Sequence, residues 1–392
     1  MPERPHGGAG GFRVLRPEIG RLAFRPEACL PRRTPLSACQ ACARACPVEA
    51  LHLANGPAQL TDHCLSCGQC VAACPTGALQ VPGFGVAVAD DAPARLDCYR
   101  VDRTDAADVR VPCLGGLGAA DLLELHTAGG GRGPVLLDRG WCADCPLGGP
   151  EHPAQRAIEQ AADLLAGGRP AEALQPRIET APLPSARAQA PLPGVADEAP
   201  VSRRDLLRRL AGQAGATARV LDDDATPAHT APLRHKITPR PRTRMLNALA
   251  ALGVTPPPAL TPRVTIHGGC QDHGVCAALC PTGALHRGEE ADGSGLDFDP
   301  AACIACQLCQ QACPEQALTV TATGGAPAPH PLTRHAQRPC ADCQRTFPAA
   351  ADEALCPACR KSREFARDAA QRFRPPRPGR GSDATDPQEE SA

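Results

Sequence analysis

The sequence of 392 residues has few aromatic side chains and no long apolar run. It contains seven Phe, one Trp and one Tyr, so a large aromatic-rich core is not expected. No stretch approaches the roughly 18 consecutive apolar residues that a membrane-spanning helix needs, and residues 1–25 lack the apolar segment of a signal peptide. We therefore predict no membrane span and a cytoplasmic protein. Much of its folding energy is expected to come from metal coordination.

Several signatures of cofactor sites are also missing from the sequence. There is no Gly-x-Gly-x-x-Gly after a strand, no Walker loop, no Cys-x-x-Cys-His for haem attachment and no His-Glu-x-x-His. No site for a nicotinamide, a flavin, a nucleotide or a catalytic zinc is therefore predicted. The formal net charge of −1 gives no general argument for nucleic-acid binding.

Cysteine, in contrast, is abundant, with 23 residues. The thiols are bunched at intervals of two and three residues, which suits shared metal centres better than the long-range disulfides of a secreted protein. Four of these cysteines begin similar short strings, in which proline follows the cysteine and Ala-Leu closes the string. The strings begin at Cys46, Cys74, Cys280 and Cys313.

Two runs of cysteines match the ligand pattern of bacterial ferredoxins without a gap. The resemblance implies that three thiolates of a run bind one 4Fe–4S cluster, whereas the fourth, which precedes proline, binds a second cluster. The sequence therefore predicts a protein that moves electrons. The two runs are Cys64-x2-Cys67-x2-Cys70-x3-Cys74-Pro and Cys303-x2-Cys306-x2-Cys309-x3-Cys313-Pro.

Residues 23–82 and 263–322 are predicted to be two copies of one ferredoxin-like module with two clusters each. In each copy, the first three cysteines of the complete run and the Cys-Pro cysteine of the other half of the module form one full set of ligands. We call the set of the first module group B and that of the second module group D. Group B comprises Cys46, Cys64, Cys67 and Cys70, and group D comprises Cys280, Cys303, Cys306 and Cys309.

The second cluster of the first module lacks one ligand at the regular position, where Leu36 stands. The nearest upstream thiol is Cys29, and a longer loop that brings it back costs little closure entropy. We therefore predict a 4Fe–4S site, and a three-iron cluster with Cys29 unused is the alternative. This set, group A, comprises Cys29, Cys39, Cys42 and Cys74.

The second cluster of the second module has His273 where a cysteine belongs. Imidazole is a competent iron ligand, and its replacement of a thiolate raises the reduction potential. The alternative is that His273 is an exposed loop residue beside a three-iron cluster. This set, group C, comprises Cys270, His273, Cys276 and Cys313.

Residues 94–168 hold four cysteines without ferredoxin spacing. Short β-type runs precede three of them, and helix patterns at 118–126 and 154–165 alternate with these runs, which predicts a small parallel sheet with the cysteines at one edge. The stretches Val111-Pro-Cys113-Leu-Gly-Gly and Cys142-Ala-Asp-Cys145 resemble the iron–sulfur delta subunit of methyl-viologen-reducing hydrogenases. The resemblance implies a fifth cluster, 2Fe–2S or 4Fe–4S, and a structural zinc is the alternative. This set, group E, comprises Cys98, Cys113, Cys142 and Cys145.

The last four cysteines, group F, have the paired spacing of a structural zinc site within residues 335–365. A docking or nucleic-acid role of this knuckle stays open. With group F, all 23 cysteines have a place in one of six groups. Group F comprises Cys340, Cys343, Cys356 and Cys359.

The Pro/Ala-rich stretch 169–262 is predicted to be a linker with a short basic helix at 202–210. The string Ser202-Arg-Arg looks like a twin-arginine signal, but it lies in mid-chain without an apolar segment after it, so export is not expected. Residues 202–322 resemble in layout the accessory ferredoxin of periplasmic nitrate reductase. This resemblance implies a cytoplasmic accessory role towards a molybdoenzyme.

The sequence as a whole predicts an α+β protein with two ferredoxin-like 2[4Fe–4S] modules, a central α/β segment, a zinc knuckle, and an N-terminal extension (1–22) and disordered tail (374–392). We expect an electron carrier rather than an enzyme, with redox enzyme subunits or electron donors and acceptors as partners. One alternative is a maturation or accessory factor for a molybdoenzyme. Another is a nucleic-acid-binding regulator, against which the scarce aromatics and neutral charge weigh. Its candidate residues are Arg203, Arg204, Arg208, Arg209, Arg240, Arg242 and Arg244.

Overall fold

The computed structural model divides the chain into two compact units, a larger one within residues 1–288 and 295–333 and a smaller one within 289–294 and 334–392. All cysteines from Cys29 to Cys313 belong to the larger unit. In the part of the chain that the structure describes, no helix is long and apolar enough to cross a membrane. The described residues are 22–53, 59–61, 63–81, 84, 93–101, 107, 109–166, 175–183, 219–220, 235–290, 293–349 and 353–373.

Three predicted segments lie wholly or almost wholly outside the described residues. They are the N-terminal extension before residue 22, the basic helix at 202–210 and the tail from residue 374.

The first module is built from two-residue strands and one-turn helices, because ligand loops and prolines interrupt any longer element. Its elements are β1 (Ala23–Phe24), α1 (Leu30–Arg33), α2 (Ala41–Arg44), β2 (Leu51–His52), β3 (Gln59–Leu60), α3 (Gln69–Ala72) and β4 (Leu79–Gln80). Strand β1 pairs antiparallel with β4, and β2 pairs antiparallel with β3. The first and last strands thereby close the module around its cysteines.

The central segment is a four-stranded parallel sheet with two helices. Its elements are β5 (Arg95–Cys98), β6 (Val109–Val111), α4 (Ala119–Ala128), β7 (Val135–Asp138), α5 (Gln155–Leu165) and β8 (Arg177–Thr180). The strands lie in the order β6-β5-β7-β8, and every neighbouring pair is parallel. Leu96, Leu122, Leu136 and Leu164 are at most 1% exposed and lie in the same core, so an aliphatic core replaces the missing aromatics.

The stretch 169–262 differs from the linker that the sequence predicts. Strand β8 extends the central sheet, β9 (Arg219–Val220) pairs with β3, and α6 (Arg240–Ala251) packs on α4. Leu249 of α6 is fully buried in the central core. Composition did not predict β8 because this strand joins the sheet through backbone hydrogen bonds and has one aliphatic side chain, Ile178. It did not predict the packing of α6 because the short apolar face of this helix lies between proline-rich segments.

The second module repeats the plan of the first. Its elements are β10 (Arg263–Ile266), α7 (Val275–Leu279), β11 (Leu285–Glu290), β12 (Gly293–Phe298), α8 (Leu308–Gln311) and β13 (Leu318–Thr321). Strand β10 pairs antiparallel with β13, as β1 does with β4. Helices α7 and α8 follow the ligand loops at the positions that α2 and α3 occupy in the first module, so the duplicated sequence gives a duplicated fold.

The smaller unit contains a hairpin and one helix. Strand β14 (His330–Pro339) pairs with β15 (Thr346–Ala349) through residues 336–339, and α9 (Pro357–Arg372) follows. The side chain of Phe347 is 5% exposed and packs against Cys340 and Cys356. The helix continues beyond residue 365, where the sequence places the end of the knuckle.

Candidate metal centres

The four Cys-Pro strings share one backbone turn. In each string the third residue after the cysteine has a left-handed φ, and a backbone N–H one or two residues later donates to the cysteine sulfur at 3.2–3.5 Å. Hydrogen bonds of this kind stabilise thiolate ligands and tune the reduction potential. The left-handed residues are Glu49, Gly77, Gly283 and Gln316, and the donors are Ala50, Ala78, Leu285 and Ala317.

The three loops that have the regular spacing of the first three predicted ligands also share a backbone conformation. A left-handed residue stands just before the second ligand, and another stands just after it. Glycine fills the second position in groups B and C, whereas group D has a glutamine there. These residues are Ser66 and Gly68 in group B, Asp272 and Gly274 in group C, and Ala305 and Gln307 in group D.

Group A surrounds one small apolar cavity. Cys29 lines it together with Cys39, Cys42 and Cys74, and Phe24 is among the apolar residues of its wall. Cys29 is 8% exposed and directly precedes α1, whose turn brings the chain back to the loop of Cys39. The structure thus brings together all four residues that the sequence predicts for this site.

Groups B and D also each line a cavity. Cysteines and apolar side chains line both cavities. All eight predicted cysteines face these two cavities. In both cases the cysteine before proline is supplied by the other half of the module, as the ferredoxin pattern requires.

Group C also lines a cavity, with three cysteines and His273 in its wall. The Nε2 atom of His273 lies 2.7 Å from Oε1 of Glu315, which lines the same cavity. The His273 side chain is 30% exposed, so it is only partly open to solvent. Sequence reasoning found the histidine but missed its carboxylate partner.

Burial raises the pKa of many of these thiols. It raises the pKa of Cys42 and Cys142 to about 12, and that of Cys67, Cys276 and Cys303 to about 11. Without bound metal the neutral thiols are therefore favoured at pH 7. Iron supplies the positive charge that makes buried thiolates stable, so the donor chemistry and the cavities both fit iron–sulfur clusters.

Group E lies at the carboxyl ends of three parallel strands, where such sheets collect ligands. Cys98 ends β5, Cys113 follows β6, and Cys142 and Cys145 follow β7. Burial raises the pKa of Cys113, and the nearby thiolates of Cys98 and Cys142 raise it further. The structure therefore brings the four predicted residues to one place.

A buried ion pair fixes the ends of the strands that bear group E. Arg139 donates to Oδ2 of Asp97 through Nη2 at 2.6 Å and Nε at 3.0 Å. Oδ1 of Asp97 accepts the backbone N–H of Cys98 at 2.8 Å. Asp97 is 1% exposed, so this pair sets the conformation of the residue before a candidate ligand.

Sequence reasoning missed one cluster of side chains beside group E. Ligand atoms of Asp138, Cys142 and His152 all lie within 4.8 Å of one another. The Nδ1 atom of His152 accepts the backbone N–H of Ala154 at 3.3 Å. No spacing motif connects these three residues, so the sequence offers no signal for this arrangement.

Group F has a different geometry from the other groups. The four sulfur atoms all lie within 4.8 Å of one another, which fits the roughly 3.8 Å between thiolates around one tetrahedral zinc ion. Backbone N–H groups of Cys343 and Cys356 lower the pKa of Cys340 to about 6, and the latter bond is 3.2 Å long. Group F is thus suited to hold a single ion.

Comparisons with known proteins agree with the two modules. A family model described as a 4Fe–4S dicluster domain matches residues 37–79, and another with the same description matches residues 268–317. The first match begins after Cys29, whereas the second includes His273. A search of curated proteins finds no match to this chain. The chain therefore contains two regions that match 4Fe–4S dicluster domains, and the cysteine-lined cavities lie inside both of them.

Proposed function

We propose that groups A to E form a single relay for electrons within one chain, which serves a larger redox enzyme as a subunit or accessory protein. The observation that carries this proposal is that successive groups, in the order C, D, A, B, E, lie close enough for their thiols to influence one another or to share an apolar cluster. A bound cluster supplies the electron-transfer site, and its ligands and hydrogen bonds set the potential. The protein residues hold these sites close together.

Within each module, the two groups are neighbours. The half-buried Cys70 of group B lies near enough to Cys42 of group A for one thiolate to raise the pKa of the other. Cys309 of group D has the same relation to Cys276 of group C. Groups A and B are neighbours, as are groups C and D, because each half of a module supplies its Cys-Pro cysteine to the site of the other half.

Between the modules, group A meets group D. Burial raises the pKa of Cys306, and the charge of Cys39 is among the smaller contributions that raise it further. Residues 235–242 tie these two regions together. On the side of the first module, Arg33 Nη2 donates to His235 O, and Pro241 packs on Gly77. On the side of the second module, Lys236 Nζ donates to Cys280 O and Arg242 Nε donates to Ala301 O, both at 2.8 Å.

Group B meets group E at the edge of the central sheet. Cys67 and Cys113 are both buried in one apolar cluster with Leu147. The Nε2 atom of Gln69 lies 3.8 Å from the sulfur of Cys113 and donates to Leu147 O at 2.6 Å. This contact supports a direct step between the first module and the central segment.

Group E is proposed to hold a polynuclear cluster rather than zinc. Among the described residues, no three of its sulfur atoms lie within 4.8 Å of one another, whereas those of group F do. One tetrahedral zinc would hold thiolates roughly 3.8 Å apart. Thiolates around two or more irons stand farther apart, which favours the fifth cluster that the hydrogenase resemblance implies.

Metal analysis tests the relay directly. Anaerobically purified protein is expected to contain about sixteen to twenty iron atoms, because four or five clusters hold up to four irons each. Acid-labile sulfide and the EPR spectrum of the reduced protein give the cluster types. Fewer than about eight irons after full reconstitution would show that this function is wrong.

We propose a structural zinc ion for group F. The variant Cys340→Ser is expected to lose about one zinc atom per chain and to keep its iron, because group F has its own hairpin and helix. Elemental analysis of the variant and the wild type measures both metals. A loss of iron in place of zinc would overturn the assignment.

The structure weighs against a nucleic-acid-binding site on α6. Arg242 donates to the carbonyl oxygens of Pro300 and Ala301, and Arg244 forms ion pairs with Asp121 and Glu124. These two guanidinium groups are therefore engaged by protein oxygens, although the Arg244 side chain is still 44% exposed. Arg240 of the same helix is exposed, and the remaining arginines of that hypothesis, at 203, 204, 208 and 209, lie outside the described residues.

A further inference from the structure

Group C departs from the internal repeat at two positions. At the second ligand position, the other three groups have cysteine, whereas group C has His273. At the second residue after the Cys-Pro cysteine, the other groups have valine or threonine, whereas group C has Glu315. The corresponding residues are Cys39 and Thr76 in group A, Cys67 and Val48 in group B, and Cys306 and Thr282 in group D.

These two exceptional residues contact each other. The distance of 2.7 Å between His273 Nε2 and Glu315 Oε1 is that of a strong charge-assisted hydrogen bond. In groups A and D, the threonine at this position instead lies near the sulfur of its own cysteine, at 3.5 Å for Thr76 and 3.8 Å for Thr282. Glu315 therefore serves the histidine rather than the thiolate of Cys313.

The loop of group C keeps the backbone of a ligand loop although the cysteine is gone. Asp272 has a φ of 48° and Gly274 one of 69°, as at the corresponding positions around Cys67 and Cys306. A left-handed conformation is unfavourable for a residue with a Cβ. Asp272 is 4% exposed and bonds Arg287 Nη2 at 3.2 Å, so the structure holds His273 at the position of a ligand.

We propose that His273 binds iron in group C through Nδ1, and that Glu315 is the positioning residue that orients it. A carboxylate accepts, so Nε2 carries the proton and the neutral ring keeps its lone pair on Nδ1. Carboxylate–histidine–metal triads of this kind fix the tautomer and make the imidazole a stronger ligand. The inference rests on the proposed function, since it requires a cluster in this cavity.

The chemical consequence is one distinctive centre at an end of the relay. A neutral nitrogen ligand in place of a thiolate removes negative charge from the cluster and raises its potential. Group C is therefore expected to have a higher potential than group D, its all-cysteine neighbour in the same module. Because of this difference in potential, electrons are expected to reside at group C, the end of the series, rather than at group D.

The test uses the full-length protein purified anaerobically, with pulsed EPR of the reduced clusters to detect nitrogen bound to iron. The wild type is expected to show strong ¹⁴N coupling, which His273→Cys and His273→Ala should both abolish. His273→Cys should keep a four-iron cluster with a lower potential, and His273→Ala should convert the cluster towards a three-iron form. Thr282→Val, at the matched position of group D, should leave the nitrogen coupling unchanged.

The role of Glu315 needs its own comparison. Glu315→Ala is expected to weaken retention of the fourth iron by about 10- to 100-fold in a chelator challenge, because lost outer partners reduce metal affinity by this factor. In the His273→Cys background the same change should have little effect, since no histidine remains to be oriented. An equal loss in both backgrounds would show that Glu315 acts on folding alone.

The outcome that overturns the inference differs from the one that overturns the relay. If the wild type lacks ¹⁴N coupling and shows a three-iron signal that His273→Ala leaves unchanged, His273 does not bind iron. The clusters of groups A, B and D would still be present in that case. Absence of iron from those groups would instead contradict the proposed function.

Discussion

Replacement of Asp97 by alanine is expected to lower the free energy of unfolding of the central segment by about 3–5 kcal/mol. The change leaves the guanidinium of Arg139, which is 6% exposed, without its carboxylate. It also removes the acceptor of the Cys98 N–H. Urea titration followed by the emission of Trp141, the single tryptophan, measures the loss in this segment.

A control on the same sheet separates burial from charge. The pair Arg95–Glu179 has side chains 37% and 41% exposed, so Glu179→Ala should cost at most about 1 kcal/mol. Since Asp97→Ala can fail to fold, the double change Asp97→Leu with Arg139→Met supplies a second measurement. It should recover much of the loss, because no buried charge remains unpaired. Equal effects of the Asp97 and Glu179 variants would contradict the ion-pair argument.

The variant Gly116→Ala is expected to disrupt the contact between groups B and E. A Cβ atom on Gly116 would lie 2.3 Å from the carbonyl oxygen of Cys67, so the two segments must move apart. Overpacking of this kind costs about 1–3 kcal/mol. In the reduced protein, we expect weaker magnetic interaction between the centres of groups B and E, measured by EPR line broadening.

A second glycine close to group E provides the matched control. At Gly149 an added Cβ would meet nothing within 4 Å, so Gly149→Ala should leave both stability and the spectrum unchanged. Iron content should stay at the wild-type level in both variants, because neither glycine is a ligand. If Gly116→Ala left the magnetic interaction and the stability intact, the direct step between groups B and E would be wrong.

Much of the ferredoxin chemistry could be predicted from the sequence because ligand loops are local. Three ligands of a cluster lie within seven residues in groups B and D, so spacing alone fixes their geometry. The prediction of ferredoxin-type modules is confirmed by the two matches to 4Fe–4S dicluster domains. The individual ligands, including Cys29 and His273, and the zinc of group F stay predictions.

Other features could not be predicted from the sequence. Strand β8 and helix α6 lie in a Pro/Ala-rich stretch whose composition resembles a linker, and packing on a distant core gives them their structure. The partner of His273 is 42 positions away, and that of Asp97 is also 42 positions away. Contacts at such separation depend on how whole modules fold, which spacing rules do not encode.

The sequence by itself determined the chemistry of this protein, because thiols at short intervals are held to one metal centre by the local chain. It also determined the duplication, since both modules repeat the same strings. Only the tertiary structure decided which centres are neighbours. In the proposed relay, buried contacts such as Cys67 with Cys113, and the contacts of residues 235–242 with both modules, give the order of the five groups. These contacts join distant segments, so their energy exists only in the folded chain.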